Sequence, residues 1–288
     1  MSDDPFVTHR GLLFTVAYEM LGSATDAEDV LQESWLRWAD VDQEQVQDPR
    51  AYLVRIVTRQ ALNHLRAVSR RREEYFGEWL PEPLLTSPDV ADDVELAESV
   101  SIAMLTVLET LVPTERAVFV LREVFDVPYD EIAEAVDKTP AAVRQIAHRA
   151  RDHVAARHPR VQVEPDEQER VIERFLTAVN TGDVQGLLDV LAPDVVLVAD
   201  GGGVVTAAKR PIVGAERLAT FISEGLARVR LTGSPVWLNG ARGVRIEADG
   251  ELAAAIGFTV EGGRITRMYS IVNPNKLAAL DVEATLAR

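Results

Sequence analysis

The chain has 288 residues, 47% of them hydrophobic and 26% charged, with no cysteine and a formal net charge of −16. That length suits about two domains of ordinary size, and the missing thiols exclude disulfide staples, cysteine-ligated metal centres and thiol nucleophiles. No run reaches the ~18 apolar residues of a membrane span. The opening MSDDPFVTHR has acids where a secretory leader carries bases and then an apolar stretch, so a soluble, cytoplasmic chain with no membrane partner is expected.

From Thr8 to Ala39 apolar residues recur at helical spacing in two stripes, Leu12 to Leu21 and Ala27 to Trp38, separated by Gly22 and Ser23. Thr25 or Asp26 is the expected cap of the second. Asp40 to Asp48 is polar, and Pro49 suits the first turn of a third helix, with Leu53, Ile56, Val57, Ala61, Leu62 and Leu65 inward and arginines outward. Residues 77–99 read as an acidic linker, solvated and extended, with an apolar patch, Trp79-Leu80-Pro81-Glu82-Pro83-Leu84, embedded in it. Helices resume at Val100. Tyr129 to Val136, a turn at Asp137-Lys138 and a helix opened by Thr139-Pro140 have helix-turn-helix spacing. A second boundary falls at Pro159 to Pro165. Helical stripes at 171–179 and 187–191 and strand-like runs at 195–198, 236–238, 243–246, 252–259 and 264–272 then predict an α+β domain with a curved sheet.

The charge is uneven. Residues 1–160 hold 17 Lys+Arg against 29 Asp+Glu, yet seven arginines lie between Arg50 and Arg72, unopposed until Glu73. A second basic cluster, Arg144, His148, Arg149, Arg151, Arg157 and Arg160, has only Asp152 against it. Two basic islands on an acidic body suit local phosphate contact by a protein that binds DNA poorly without a partner. In a helix-turn-helix the second helix lies in the major groove, so Arg144, Gln145, His148, Arg149 and Arg151 are candidate readers; arginine pairs with guanine and glutamine with adenine. Tyr52, Asn63 and His64 among the arginines of the earlier helix suit unstacked bases of single-stranded DNA.

Asp26-Ala27-Glu28-Asp29-Val30-Leu31-Gln32-Glu33, Trp35, Pro49-Arg50-Ala51-Tyr52-Leu53 and the arginine-rich helix resemble domain two of an extracytoplasmic-function (ECF) RNA polymerase sigma factor. Leu111-Val112-Pro113-Thr114-Glu115-Arg116 through Ala147-His148-Arg149-Ala150-Arg151 resembles its domain four. The resemblance implies that Asp29, Gln32 and Glu33 dock on core RNA polymerase. It assigns the segment 40–48 to capture of a flipped −10 base, Arg55, Arg59, Asn63 and Arg66 to the melted −10 strand, and 139–151 to the −35 element. The family often has Asp at Asn63 and Arg at Ile146. The patch at 79–84, Asp200-Gly201-Gly202-Gly203 and Asn273-Pro274-Asn275-Lys276-Leu277 resemble the group of ECF factors with a C-terminal SnoaL-like domain, a cone-shaped α+β barrel with a pocket. That group usually has Lys where this chain has Val204.

The organisation expected is therefore a multi-domain chain: two all-α sigma domains at 1–76 and 100–160, the linker 77–99, a SnoaL-like domain at 166–280 and a tail at 281–288. Its partners are core RNA polymerase and promoter DNA, and the group adds an unidentified small-molecule ligand and a homodimer through the SnoaL-like domain as expectations. Trp79, Leu80, Pro81, Glu82 and Pro83 are expected to pack on the C-terminal domain near Asp200, Gly201, Gly202 and Gly203 or Asn273, Pro274 and Lys276, and so to regulate the sigma domains in cis. Asp200 has no partnering carboxylate or histidine nearby; its simplest role is capping a tight glycine turn. No catalytic residue, metal or cofactor is expected, and Trp237, Phe221, Phe258 and Tyr269 read as core. Two alternatives are a one-component, ligand-responsive DNA-binding regulator and a sigma factor whose C-terminal domain is an active isomerase or cyclase.

Overall fold

The computed structural model describes residues 4–73, 75–157, 165–205 and 207–288. The side chains of Arg70, Arg71 and Arg72 and the boundary expected at Pro159–Pro165 lie outside the described residues. The first module is α1 (Pro5–Thr8), α2 (Arg10–Leu21), α3 (Ala24–Ala39) and α4 (Pro49–Glu73). Every residue of α2 from Leu12 to Leu21 is buried, so it is the central helix of the module. It stops at Gly22, whose φ of 66° supplies the left-handed cap while its amide donates to the Tyr18 carbonyl at 2.6 Å. The α3 cap is Ser23 rather than Thr25 or Asp26, because its Oγ sits one residue outside the helix and accepts the Asp26 amide at 3.1 Å. The 25 residues of α4 give a rod about 37 Å long, with Leu53, Val57, Ala61, Leu62 and Leu65 buried and Ile56 only half-buried.

The linker is not an extended, solvated tether. Leu80, Pro81, Pro83 and Leu84 are buried, and the acidic part folds into α5 (Pro88–Asp92) and α6 (Val94–Val100). Asp93 caps α6 by accepting the Leu96 amide at 3.1 Å, and Val90, Leu96 and Val100 form a small core of their own. The acids occupy the outer face of an amphipathic pattern, which composition alone reads as a solvated run.

The second module is α7 (Ile102–Leu108), α8 (Pro113–Phe119), α9 (Tyr129–Val136) and α10 (Pro140–Arg157); a π turn at Val120–Val124 extends α8. Asp137, with φ of 56°, turns the chain between α9 and α10, and Thr139 Oγ1 caps α10 by accepting the Ala142 amide at 3.2 Å. The two helical modules share one continuous core that runs from Phe6 of α1 to Val154 of α10. They are packed together, not held apart.

The C-terminal module contains α11 (Pro165–Thr181), α12 (Val184–Val190), β1 (Leu191–Asp200), β2 (Ile212–Val213), α13 (Ala215–Arg228), β3 (Leu231–Leu238), β4 (Ala241–Ala248), β5 (Glu251–Glu261), β6 (Arg264–Ile271) and α14 (Pro274–Leu277). The strand order is β2-β1-β6-β5-β4-β3, with β1 and β6 parallel and every other pair antiparallel. The edges of this six-stranded sheet are β2 and β3. Its inner face packs Ile246, Phe258 and Met268 on Phe175, Leu187 and Leu218 of α11, α12 and α13. Its outer face packs Ala255, Tyr269 and Ile271 against Leu80 of the linker, Ile102 of α7 and Leu277 of α14. Of the aromatics expected in the core, Phe258 and Tyr269 are buried, Trp237 is half-buried under the Arg242 guanidinium (4.2 Å), and Phe221 is 45% exposed on α13, because it lies off the buried Leu218–Ala219 stripe.

Gly22 is the sharpest local constraint. A Cβ built there would lie 2.7 Å from the Trp79 ring and 3.1 Å from Glu109 Oε1. We predict that Gly22→Ala lowers stability by about 1–2 kcal/mol from backbone strain, with a further loss from displacing Trp79. Thermal denaturation read by circular dichroism checks this.

Candidate functional site

On α3, Asp29, Gln32 and Glu33 are exposed beside Trp35 and Leu36, while Val30, Leu31 and Ser34 face inward. This face is open to a partner. Glu33 is oriented by Gln60 of α4, whose Nε2 donates to Oε2 at 2.6 Å. The N-terminus of α3 is held by a linker residue: Glu82 Oε2 accepts the Thr25 amide at 3.0 Å and Oε1 accepts Ser23 Oγ at 3.0 Å. A carboxylate there also complements the helix dipole. Glu82 thus binds the first module and not the C-terminal one.

On α4, Arg59, Asn63 and Arg66 are exposed and Arg55 is half-buried. The N-terminal part of this face is covered by α9. Arg55 Nη1 pairs with Glu134 Oε2 at 2.6 Å, and Arg59 Nη2 donates to the Glu134 carbonyl at 2.7 Å. A cleft of about 390 Å³ remains between the segment Gln45–Asp48, Tyr52 and Arg55 on one side and Glu131 and Glu134 on the other.

The opposite situation holds on α10. Arg144, Gln145, His148, Arg149 and Arg151 are all exposed, on the face opposite Val143, Ile146, Ala147 and Ala150. Ile146 is a core residue, so its difference from the family's arginine does not alter the exposed face. Arg144 lies 5.4 Å from the Tyr129 ring centroid, and Arg149 and Arg151 lean toward Glu115 and Glu123 at 3.7 and 3.6 Å. These cations are held loosely in register along a free helix face, the arrangement that meets phosphates and base edges.

The third cluster is buried and joins the linker to the C-terminal module. Asp200, at the end of β1, is fully buried. Its Oδ1 accepts from Tyr75 OH at 2.6 Å and from the Gly202 amide at 3.0 Å; its Oδ2 accepts the Leu80 amide at 2.9 Å and Lys276 Nζ at 2.7 Å. Lys276 also donates to the Leu80 carbonyl and lies 4.1 Å from the Trp79 ring centroid. Asn273 caps α14 and donates from Nδ2 to Tyr75 OH at 3.0 Å; Pro274 occupies the first turn of that helix. Gly202 has φ of 60°, and a Cβ there would fall 2.2 Å from Asn273 Nδ2. Asp200 therefore does cap the glycine turn, through the Gly202 amide, and the missing Cβ at Gly202 also lets the asparagine close in. Burial, then the hydrogen bond to Asp200, raises the Tyr75 phenol, so it donates throughout the ordinary pH range.

Asn239, in the β3–β4 turn, was not anticipated from sequence and organises the other end of the patch. Its Oδ1 accepts the Leu84 amide at 2.9 Å, and its Nδ2 donates to Tyr18 OH at 2.7 Å and to the Val100 carbonyl at 2.9 Å. Tyr18 OH in turn donates to the Glu82 carbonyl at 2.6 Å. Among the described residues no group of three or more histidines and carboxylates is placed to hold a metal, and no helix is long and apolar enough to cross a membrane.

An arginine-bearing helix beside an open cleft and a helix-turn-helix whose second helix exposes a basic face are the features of a DNA-binding transcription factor. Residues 6–71 match the Sigma-70 region 2 family and residues 101–154 match Sigma-70 region 4. The ECF RNA polymerase sigma factor SigJ of Mycobacterium tuberculosis is 36% identical over 294 aligned positions, covering 96% of this chain and 93% of that protein. A probable ECF RNA polymerase sigma factor, SigI, of the same species is 34% identical over 281 positions, covering 96% and 94%. The crystal structure of the M. tuberculosis SigJ factor superposes with a TM-score of 0.78 at 31% identity, covering 96% of this chain and 98% of that one, the C-terminal α+β module included. The chain belongs to the ECF sigma factor family, and it is a sigma factor that works with RNA polymerase and promoter DNA.

Glu134 is the residue that sets the exposed arginines aside. Its side chain is 63% exposed, so its pair with Arg55 is worth no more than ~1 kcal/mol. We predict that Glu134→Ala tightens binding of a single-stranded −10 oligonucleotide about twofold to fivefold and leaves duplex −35 binding unchanged, as read by fluorescence anisotropy at fixed salt.

Proposed function

We propose that this sigma factor is restrained in cis by its C-terminal module, which fastens the linker between the two DNA-reading modules. The observation that carries the reading is the grip on Leu80: a buried Asp200–Lys276 pair takes both the amide and the carbonyl of one linker residue. With Leu80 held there and Leu84 tied to Asn239, the domain-four helices are kept against α4.

The closed arrangement is incompatible with reading both promoter elements at once. The −10 and −35 elements are roughly 25 base pairs apart, ~85 Å along B-form DNA, whereas α4 and α9 are in direct contact. Closed, the chain offers its polymerase-facing side of α3 and the free face of α10 and withholds Arg55. Assembly with core polymerase draws the modules apart. In this reading Asp29, Gln32 and Glu33 dock on polymerase, Arg55, Arg59, Asn63 and Arg66 meet the melted −10 strand, and Arg144, Gln145, His148, Arg149 and Arg151 read the −35 element in the cytoplasm.

The C-terminal module performs no chemistry in this scheme, because both oxygens of Asp200 are taken by the chain itself. The occupant of that site is the linker and not a small molecule. A homodimer through the outer sheet face would compete with Leu80, Ile102 and Leu277 for the same surface, which favours the monomer.

Lys276→Met removes one half of the buried pair at a cost of about 3–5 kcal/mol. We predict that it exposes the linker to protease, and that run-off transcription with core polymerase rises several-fold. The double variant Trp79→Ala, Leu80→Ala should do the same without unfolding either sigma module. Unaltered promoter output from a linker shown to be released would remove the case for cis regulation.

A further inference from the structure

Glu19, in the middle of α2, serves none of the surfaces above. It and Asp200 are fully buried carboxylates, but their surroundings differ. Asp200 faces a lysine ammonium. Glu19 faces Ser99 of α6, whose Oγ donates to Oε1 at 2.7 Å, and its Oε2 has no hydrogen-bond partner among the described residues. The cation turned toward it is Arg116 of α8, whose Nε donates at 2.9 Å to the Glu19 backbone carbonyl and whose Nη1 donates to Glu109 at the end of α7; its charge also acts on the Glu19 carboxyl, in favour of ionisation. The other ionisable groups around this junction are Tyr18, which donates to the Glu82 carbonyl, and the Glu82 carboxylate itself, spent on Ser23 and Thr25. α2 belongs to the first DNA-reading module, while α6 and α8 belong to the linker and the second. The carboxyl therefore sits where the modules must part.

We propose that Glu19 is a proton-linked latch between the two DNA-reading modules: closed, it is held as the neutral acid, and opening hydrates it and releases its proton. An ionised carboxylate fully buried between modules, with one oxygen not met by any protein donor among the described residues, is strongly disfavoured. The neutral acid carries no charge to be buried there, and its Oε1 still accepts from Ser99. Burial pushes the carboxyl up to about 8 from an ordinary 4.5, with Ser99 and then Arg116 acting against that rise. The sign follows from proton linkage. Below 4.5 both states hold the proton and closure has its full strength. Between 4.5 and 8 the open state alone has lost the proton, so each pH unit lowers the closed-to-open ratio up to tenfold. Above 8 the effect levels off. Acid holds the factor shut, and a rise in pH eases it open.

The proposal rests on the reading that the chain opens on joining polymerase, and the test separates the two. The chain has no cysteine, so Thr8→Cys with Ala155→Cys places a donor–acceptor dye pair on exposed positions of the two modules. Energy transfer is followed from pH 5.5 to 8.5 in the full chain, alone and with core polymerase. In otherwise native chain the closed fraction falls with pH, and holoenzyme assembly titrated calorimetrically at pH 6.5 in buffers of different ionisation enthalpy releases about one proton more than in Glu19→Gln. Glu19→Gln stays closed with a flat pH profile. Ser99→Ala, which removes a contact favouring ionisation, shifts the transition to higher pH. Parallel profiles and equal proton release in native and Glu19→Gln chains, with opening still seen, overturn the latch alone. Absence of opening even with polymerase overturns the latch and the opening reading together.

Discussion

The peptide group of Leu80 is the point on which the closed structure turns. Asp200 and Lys276 are a buried ion pair, and such a pair does not offset its own dehydration unless its remaining lone pairs and protons are met. Within the C-terminal module they are not all met. The Leu80 amide completes the carboxylate and the Leu80 carbonyl completes the ammonium, with Tyr75 and Trp79 closing the sides. The domain thus carries a polar centre that another stretch of the same chain finishes, and the linker gains a fixed path. The same path runs on into α6 and α7, which pack beside α2.

Electrostatics divides the surface accordingly. With a net charge of −16 the chain as a whole repels DNA, and affinity depends on where its few cations point. The α10 cations point to solvent. Arg55 points to Glu134, and Arg59 to the carbonyl of the same residue, so part of the arginine face of α4 is satisfied internally. These are weak, exposed contacts that a larger partner exchanges readily. The strong contacts lie at the linker, away from the DNA surfaces. The buried linker contacts and the exposed basic faces thus use different groups.

Much of this was legible in the residue order. The helical stripes of α2 and α3, Pro49 at the start of α4 and Thr139-Pro140 at the start of α10 are local signals, and the elements emerge there. The linker's composition hides its structure, because its acids outweigh a sparse apolar pattern of Val90, Leu96 and Val100, against which Leu286 packs from the far end of the chain. α13 went unread since its buried stripe is short, with only Leu218 and Ala219 fully covered. Tyr75 meets Asn273 across 198 residues and Tyr18 meets Asn239 across 221. Nothing local marks such pairs. The Asn239-Gly240 dipeptide is a hairpin signal in its own right, yet what its side chain would bind depended on the docking of three modules.

The linker also enters the sheet. Leu85 bridges to Leu238 at the β3 edge on one side and to Glu283 on the other, with the Thr86 amide on the Trp237 carbonyl and the Ala284 amide on the Leu85 carbonyl. Segment 284–288 then runs on to α2, where the Ala287 amide meets Thr15 Oγ1. Any motion that frees the linker strips this border and bares a row of unpaired strand hydrogen-bonding groups, a template for self-association. In the closed chain that border is covered by the molecule's own linker and tail, which leaves no open β3 edge at Leu238 for a second copy to extend.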